Sequence, residues 1–310
     1  MIIITRVKKP LSPTLGLIWS FTVFLFIYLI SHPQSASAAV TSSLTLCATR
    51  LIPSLFPFMV LTDLICSSGL ADLISRVVGR PFSRATGLPE SGASAFLLGS
   101  LGGFPVGAVA AKRLLERGAI TVDDAARLIA FSNNAGMAFC VGAVGSMYGS
   151  AAVGWKLWGI QLFSAILLAV LTADRGQASK NVGYESVGQI SSPELMSIIS
   201  GSVTNAAMSI IKVCAFAVFF GTVGDVICGI LPLLPACAVS AFLELTLAAR
   251  LSASLNVGLP ICAFALGFAG LSVHAQVAAI LEGSGVKTRR FFLFKLAQGV
   301  ISALIAVIFC

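Results

Sequence analysis

Polar residues in this chain fall in two places: short gaps between long apolar runs, and a few positions inside those runs. The runs read as helices over Leu15–Ile30, Leu51–Leu70, Ser91–Ala111, Leu128–Tyr148, Trp155–Thr172, Asn205–Leu231, Ala236–Arg250 and Val257–Leu281, with a last one from Phe291. Several reach the roughly 20 residues that a helix needs to cross hydrocarbon. The pattern predicts an all-α polytopic membrane protein. A transmembrane barrel would show short alternating strands instead.

Three runs are interrupted. Ser91–Ala111 contains Gly99-Ser100-Leu101-Gly102-Gly103-Phe104-Pro105, and Leu128–Tyr148 contains Ser132-Asn133-Asn134-Ala135-Gly136. Val257–Leu281 contains Gly267 to Gln276, with Ser272, His274 and Gln276 in its middle. Polar side chains at that depth need partners that lipid does not supply. Glycine and proline loosen or break a helix. The expected fold therefore has two broken or re-entrant segments, Ser91–Ala111 and Val257–Leu281. Its helix-break positions are Gly102, Gly103, Pro105, Gly136, Gly267 and Gly270.

The halves also resemble each other in order. Asp63-Leu64-Ile65-Cys66 reads against Asp225-Val226-Ile227-Cys228, and Ser94-Ala95-Phe96-Leu97 against Ser240-Ala241-Phe242-Leu243. Gly103-Phe104-Pro105-Val106 reads against Gly270-Leu271-Ser272-Val273. The expected organisation is an N-terminal anchor or signal-like segment (1–39), a first repeat (40–172), a polar linker (173–200) and a second repeat (201–310). Duplicated halves with interrupted helices near mid-membrane are a sequence pointer to a transporter-like site.

Composition agrees: 57% of residues are hydrophobic, 10% are charged, and mean hydropathy is +0.98. The net charge of +8 sits in short loops, where it reads as a topology signal and not as a nucleic-acid surface. Arg6, Lys8 and Lys9 place the N-terminus in the cytoplasm. Ala36-Ser37-Ala38 fits a signal peptidase site, so a cleaved leader stands beside the favoured uncleaved anchor. If both interrupted segments dip in and return, every basic loop falls on the cytoplasmic side. An inverted repeat, however, demands an odd number of crossings per half, and that reading does not supply it. The eight cysteines show neither C-x-x-C pairs nor zinc spacing, so no metal and no cofactor is expected.

On Gly270-Leu271-Ser272-Val273-His274-Ala275-Gln276 the chain resembles the sporulation integral membrane proteins of the YlbJ type. These belong to the wider nucleoside-recognition or Gate group, which includes the gate region of ferrous-iron transporters. Leu55-Phe56-Pro57-Phe58, Gly103-Phe104-Pro105-Val106-Gly107-Ala108 and Ser132-Asn133-Asn134 with Gly136 add to the likeness, which covers about residues 40–310. Two positions depart from the pattern: Met137 follows Gly136 where proline is usual, and Ala248 stands where the Glu-x-Thr element, Glu244-Leu245-Thr246, is usually followed by glycine. The resemblance implies a multi-pass cell-membrane protein needed for the spore cortex.

The candidate substrate-binding residues are Ser100, Asn133, Asn134, Glu244, Thr246, Ser272, His274 and Gln276. Glu244 is a mid-run carboxylate, costly unless paired or protonated. Coupling-ion or proton binding is one role for it, and pairing with Arg250 or His274 is another. Packing glue between helices is the alternative for the amides and for His274. Asp63 and Asp225, late in their runs, are expected at the interface. The expected function is movement of a small polar solute across the lipid bilayer, with a proton or cation as its coupling partner. The rival is a non-transporting membrane scaffold for cortex-building enzymes. No nucleophile, metal or nucleotide motif supports an enzyme.

Overall fold

The computed structural model describes residues 13–173, 192–255 and 258–309. Arg6, Lys8 and Lys9, most of the expected linker, Val257 and Cys310 lie outside them. All regular structure among the described residues is helical. In order these are α1 (Pro13–Ser31), α2 (Pro33–Leu46), a π-helical turn (Cys47–Leu51), α3 (Ile52–Ser67), α4 (Leu70–Thr86), α5 (Gly92–Gly102), α6 (Val106–Glu116) and α7 (Val122–Ser132). A second π-helical stretch (Phe139–Val144) runs into the single turn α8 (Gly145–Met147). Then come α9 (Ala151–Leu171), α10 (Ser192–Cys228), α11 (Leu233–Leu243), α12 (Leu245–Ser252), α13 (Gly258–Phe268), α14 (Gly270–Ile280) and α15 (Thr288–Phe309).

Among the described residues, five stretches are long and apolar enough to cross a membrane: Pro33–Ser67, Ala151–Leu171, Glu194–Cys228, Gly258–Ile280 and Thr288–Phe309. The first joins α2, the π turn and α3 into one rod. Pro53 has no N–H to give to the carbonyl four residues back. The chain widens just before it, and Ile52 N–H reaches Cys47 O instead. The expected domain boundary at residue 39 therefore falls inside a helix, and so does Ala36-Ser37-Ala38. Likewise α10 begins at Ser192, within the expected linker. Serine before proline, with Glu194 in the first turn, is a helix start.

Each half contains a hairpin of two short helices. α5 and α6 fold back on each other around Gly103-Phe104-Pro105, and α11 and α12 do so around Glu244. The first hairpin depends on missing side chains. A Cβ on Gly99 would lie 2.7 Å from the Gly107 Cα, and one on Gly107 would lie 2.4 Å from Ser132 O. Each half also contains a crossing helix that breaks midway. In the first half the break is the non-helical Asn133–Gly136 stretch after α7. In the second it is Ala269-Gly270, both left-handed, with φ 76 and 67°.

Side-chain bonds fix which ends lie together. At one end Arg113 on α6 pairs with Asp63 on α3, Arg117 donates to Cys66 O, and Lys112 donates to Ile280 O at the end of α14. At the other end Arg250 on α12 pairs with Asp225 on α10, and Tyr148, past the first broken helix, meets Ser252 at 2.9 Å. The broken helices thus run from one end to the other, while each hairpin returns to its own end. Leaving aside α4, the order long helix, hairpin, broken helix, long helix occurs twice among the described residues.

Both expected interruptions are present but differ in form: Ser91–Ala111 folds back as the α5–α6 hairpin, while α13–α14 is one helix broken at Ala269-Gly270, so in element order the α5–α6 hairpin corresponds to α11–α12. Hence Gly103 and Gly270 sit in different kinds of break. The Asp63/Asp225 and Ser94/Ser240 matches fall on corresponding elements. Asp63 is buried within the protein, paired with Arg113 and bonded by Asn205.

Candidate functional site

The two hairpin tips and the two helix breaks converge on one cavity of about 40 Å³. Phe104 comes from the first tip, Glu244, Leu245 and Thr246 from the second, Ala135 and Gly136 from the first break, and Ser272, Val273 and Gln276 from the turns after the second. Leu51, Leu55, Val213 and Ala217 of the long helices close its sides. A mostly apolar wall with a few converging polar groups is the usual make-up of a small-molecule site. The volume holds roughly two waters. A larger solute requires the tips to move apart.

Glu244 sits here because α12 begins here. Its backbone is extended (φ −146, ψ 123°), ending α11 and capping α12. Its Oε2 accepts from Leu247 N at 2.7 Å, and its Oε1 accepts from Thr246 Oγ1 at 3.0 Å. The carboxylate thus satisfies an orphan N–H and faces the positive end of the helix dipole. The expected pairing with Arg250 or His274 is absent: Arg250 is drawn to Asp225, and His274 lies elsewhere. Gln276 Nε2 donates to Ser272 Oγ at 3.4 Å, and its Oε1 is buried without a partner among the described residues.

Four of the eight residues expected at the site, Glu244, Thr246, Ser272 and Gln276, line the cavity. The others do not. Asn133 accepts from Ala108 N at 3.3 Å and so caps the first turn of α6. Asn134 faces α15. Ser100 is buried before the first tip, its carbonyl accepting from Trp158 Nε1 at 3.2 Å. His274 is enclosed by Phe268, Phe291 and Phe292, with ring centroids 4.8 to 5.2 Å away, and its Nε2 lies 3.1 Å from Phe268 O. On a helix, His274 and Gln276 point apart, as their spacing of two requires.

The break positions divide similarly. Gly102, Gly103 and Pro105 form the first tip, and Gly136 packs on it: a Cβ there would come within 3.0 Å of Gly102 and Gly103 backbone. Gly270 supplies a left-handed residue opening α14. Gly267 breaks nothing. It lies inside α13 and lets α15 approach at Gly299, whose Cα would be 2.8 Å from an added Cβ.

Behind the cavity lies a polar cluster that sequence reasoning missed. Lys295, Gln298 and Gln161 are completely or almost completely buried. Gln161 brackets the first break: its Oε1 accepts from Ala135 N at 3.3 Å and its Nε2 donates to Ala135 O at 3.1 Å. Gln298 Nε2 donates to Asn134 Oδ1 and to Gln161 O, both at 3.0 Å. The available signal was a lysine with a glutamine three residues on, one helical face, inside an otherwise apolar run.

The chain is 28% identical to the "Sporulation integral membrane protein YlbJ" of Bacillus subtilis (strain 168), over 94% of this chain and 82% of that protein. No family model matches it, and no solved structure matches it.

Proposed function

We propose that this chain is a permease-like protein of spore formation that passes a small polar solute through the bilayer. The observation that carries the reading is the meeting of four main-chain breaks at one cavity that holds a carboxylate and an unpaired amide oxygen. Two hairpins entering from opposite ends, each tip closing on that cavity, are an arrangement in which either end can open while the other stays shut. The lining is rich in acceptors: Glu244, Gln276 Oε1 and two hydroxyls. That favours a solute presenting hydrogen-bond donors. The likeness to the sporulation protein supports the biological setting, and the Gate-group resemblance supports the solute-handling role.

The repeated order of elements supports an internal duplication with opposite orientation of the halves. The charge pattern supports the same reading. Arg76, Arg80, Arg84, Arg113, Arg117, Arg127, Lys287, Arg289 and Arg290 all belong to the end marked by Asp63, while Arg50, Lys156 and Arg250 belong to the other. By the positive-inside rule the Asp63 end is cytoplasmic, and α1 then starts from that side.

Uptake into proteoliposomes tests the reading. Candidate polar metabolites from sporulating cells are offered to wild type, Glu244→Gln and Gln276→Ala. The expected result is uptake by wild type that both substitutions reduce at least tenfold. If wild type moves none of them, or both variants match it, the transport reading fails. Loss of sporulation on charge reversal along Arg76, Arg80 and Arg84, with cavity variants active, would favour the scaffold.

A further inference from the structure

α7 ends at Ser132, and the residues after it turn their oxygens toward α15. Lys295 Nζ donates to Asn133 O at 3.0 Å, to Asn134 Oδ1 at 3.3 Å and to Gln298 Oε1 at 2.7 Å. An ammonium has three N–H groups, and here each has one oxygen. The Phe104 ring lies beside it, its centroid 5.4 Å from Nζ, within cation–π range. Among the described residues no carboxylate takes part. The negative end of α7 and three neutral oxygens stabilise the charge.

Carbonyl and amide oxygens at an unwound helix end make a donor set suited to a free monovalent cation in membrane proteins. Here a side chain fills it. An apolar residue in place of Lys295 would take the ammonium donor from Asn133 O and Gln298 Oε1 in a dry interior, which is costly, and leave Asn134 Oδ1 with Gln298 Nε2 alone. We infer that Lys295 is a built-in monovalent cation: its ammonium occupies an oxygen cage formed by the α7 break and Gln298. It ties the first broken helix to α15, so the closed fold needs neither sodium nor potassium. This holds whether or not a solute is carried, because the cage lies behind Phe104 and outside the cavity.

Thermal unfolding of the purified full chain in detergent tests it, with choline, sodium, potassium or methylammonium chloride at equal ionic strength. Wild type should melt at the same temperature in all four. Lys295→Ala and Lys295→Ser should melt lower in choline and recover by about 5 °C in at least one of the small cations, the rise expected of a ligand well above its Kd. Variants that stay folded and ignore every cation would overturn the proposal. If neither variant can be purified, wild type decides: stabilisation by sodium or potassium over choline overturns the proposal, and indifference supports it.

Discussion

Asp225 accepts a hydrogen bond from Arg250 at 3.1 Å, and this pair ties the second hairpin to α10 as Asp63 and Arg113 tie the first to α3. Each pair joins the last turns of a long helix to the last turn of a hairpin's returning helix. The two are not equally sheltered. The side chains of Arg113 and Asp63 are 24% and 8% exposed, against 51% and 28% for Arg250 and Asp225. Removing one partner of a buried pair strands the other charge and costs about 3 kcal/mol or more. An exposed pair is worth under about 1 kcal/mol. Asp63→Ala should therefore lower the melting temperature clearly, and Asp225→Ala only slightly. Equal losses in a thermal-shift series would contradict this difference in shelter.

The first hairpin should not tolerate side chains at its contact face. A Cβ on Gly107 would meet the Ser132 carbonyl at 2.4 Å, and that carbonyl belongs to the end of α7, which cannot yield without moving Asn133 off the α6 cap. Gly107→Ala should abolish accumulation of folded protein or cost several kcal/mol, as overpacking against backbone does. Gly159 in α9 has no atom within 4 Å of its added Cβ. Gly159→Ala should fold normally and gain up to about 1 kcal/mol of helix propensity. Membrane yield and size-exclusion profiles of the two variants decide.

Much of this architecture was legible because hydrocarbon imposes strong rules. Long apolar runs marked the crossings, and glycines with buried amides marked the breaks at Gly103, Asn133 and Gly270. The start of α7 is locally encoded too: Thr121 and Asp124 bond each other's backbone N–H groups in a capping box. What local pattern could not supply was the path after each break. A hairpin and a kinked crossing have the same composition, and only contacts between distant residues, such as Lys112 with Ile280, separate them. The same limit hid Lys295. Two of its three acceptors belong to residues more than 160 positions away, and nothing on its own helix points to them. Asn133 and Asn134 were expected on the cavity because they are polar and deep. Instead one caps α6 and the other receives Lys295.

Glu244 combines a structural and a functional role, and two substitutions separate them. Glutamine keeps an oxygen able to accept from Leu247 N, so Glu244→Gln should melt within about 1 kcal/mol of wild type while removing the cavity's carboxyl group. Glu244→Ala loses the cap and should cost a further 1 kcal/mol or so. If the two variants prove equally stable, the bond to the α12 N-terminus contributes nothing. If solute uptake survives in Glu244→Gln, the carboxyl group is not what the solute meets.

His274 was the most conspicuous polar residue in the sequence, and its surroundings argue for packing. Three phenylalanine rings enclose it, and its Nε2 meets Phe268 O, six residues back across the Ala269-Gly270 break. The imidazole therefore pins the broken helix to itself. His274→Phe keeps an aromatic body in the box and loses one hydrogen bond, a loss of about 1 kcal/mol. His274→Ala also empties the box and should cost roughly 3 kcal/mol, as aromatic truncations in cores do. Uptake normalised to folded protein should be near wild type for His274→Phe. A tenfold fall in that variant, at unchanged melting temperature, would return His274 to the list of residues that meet the solute.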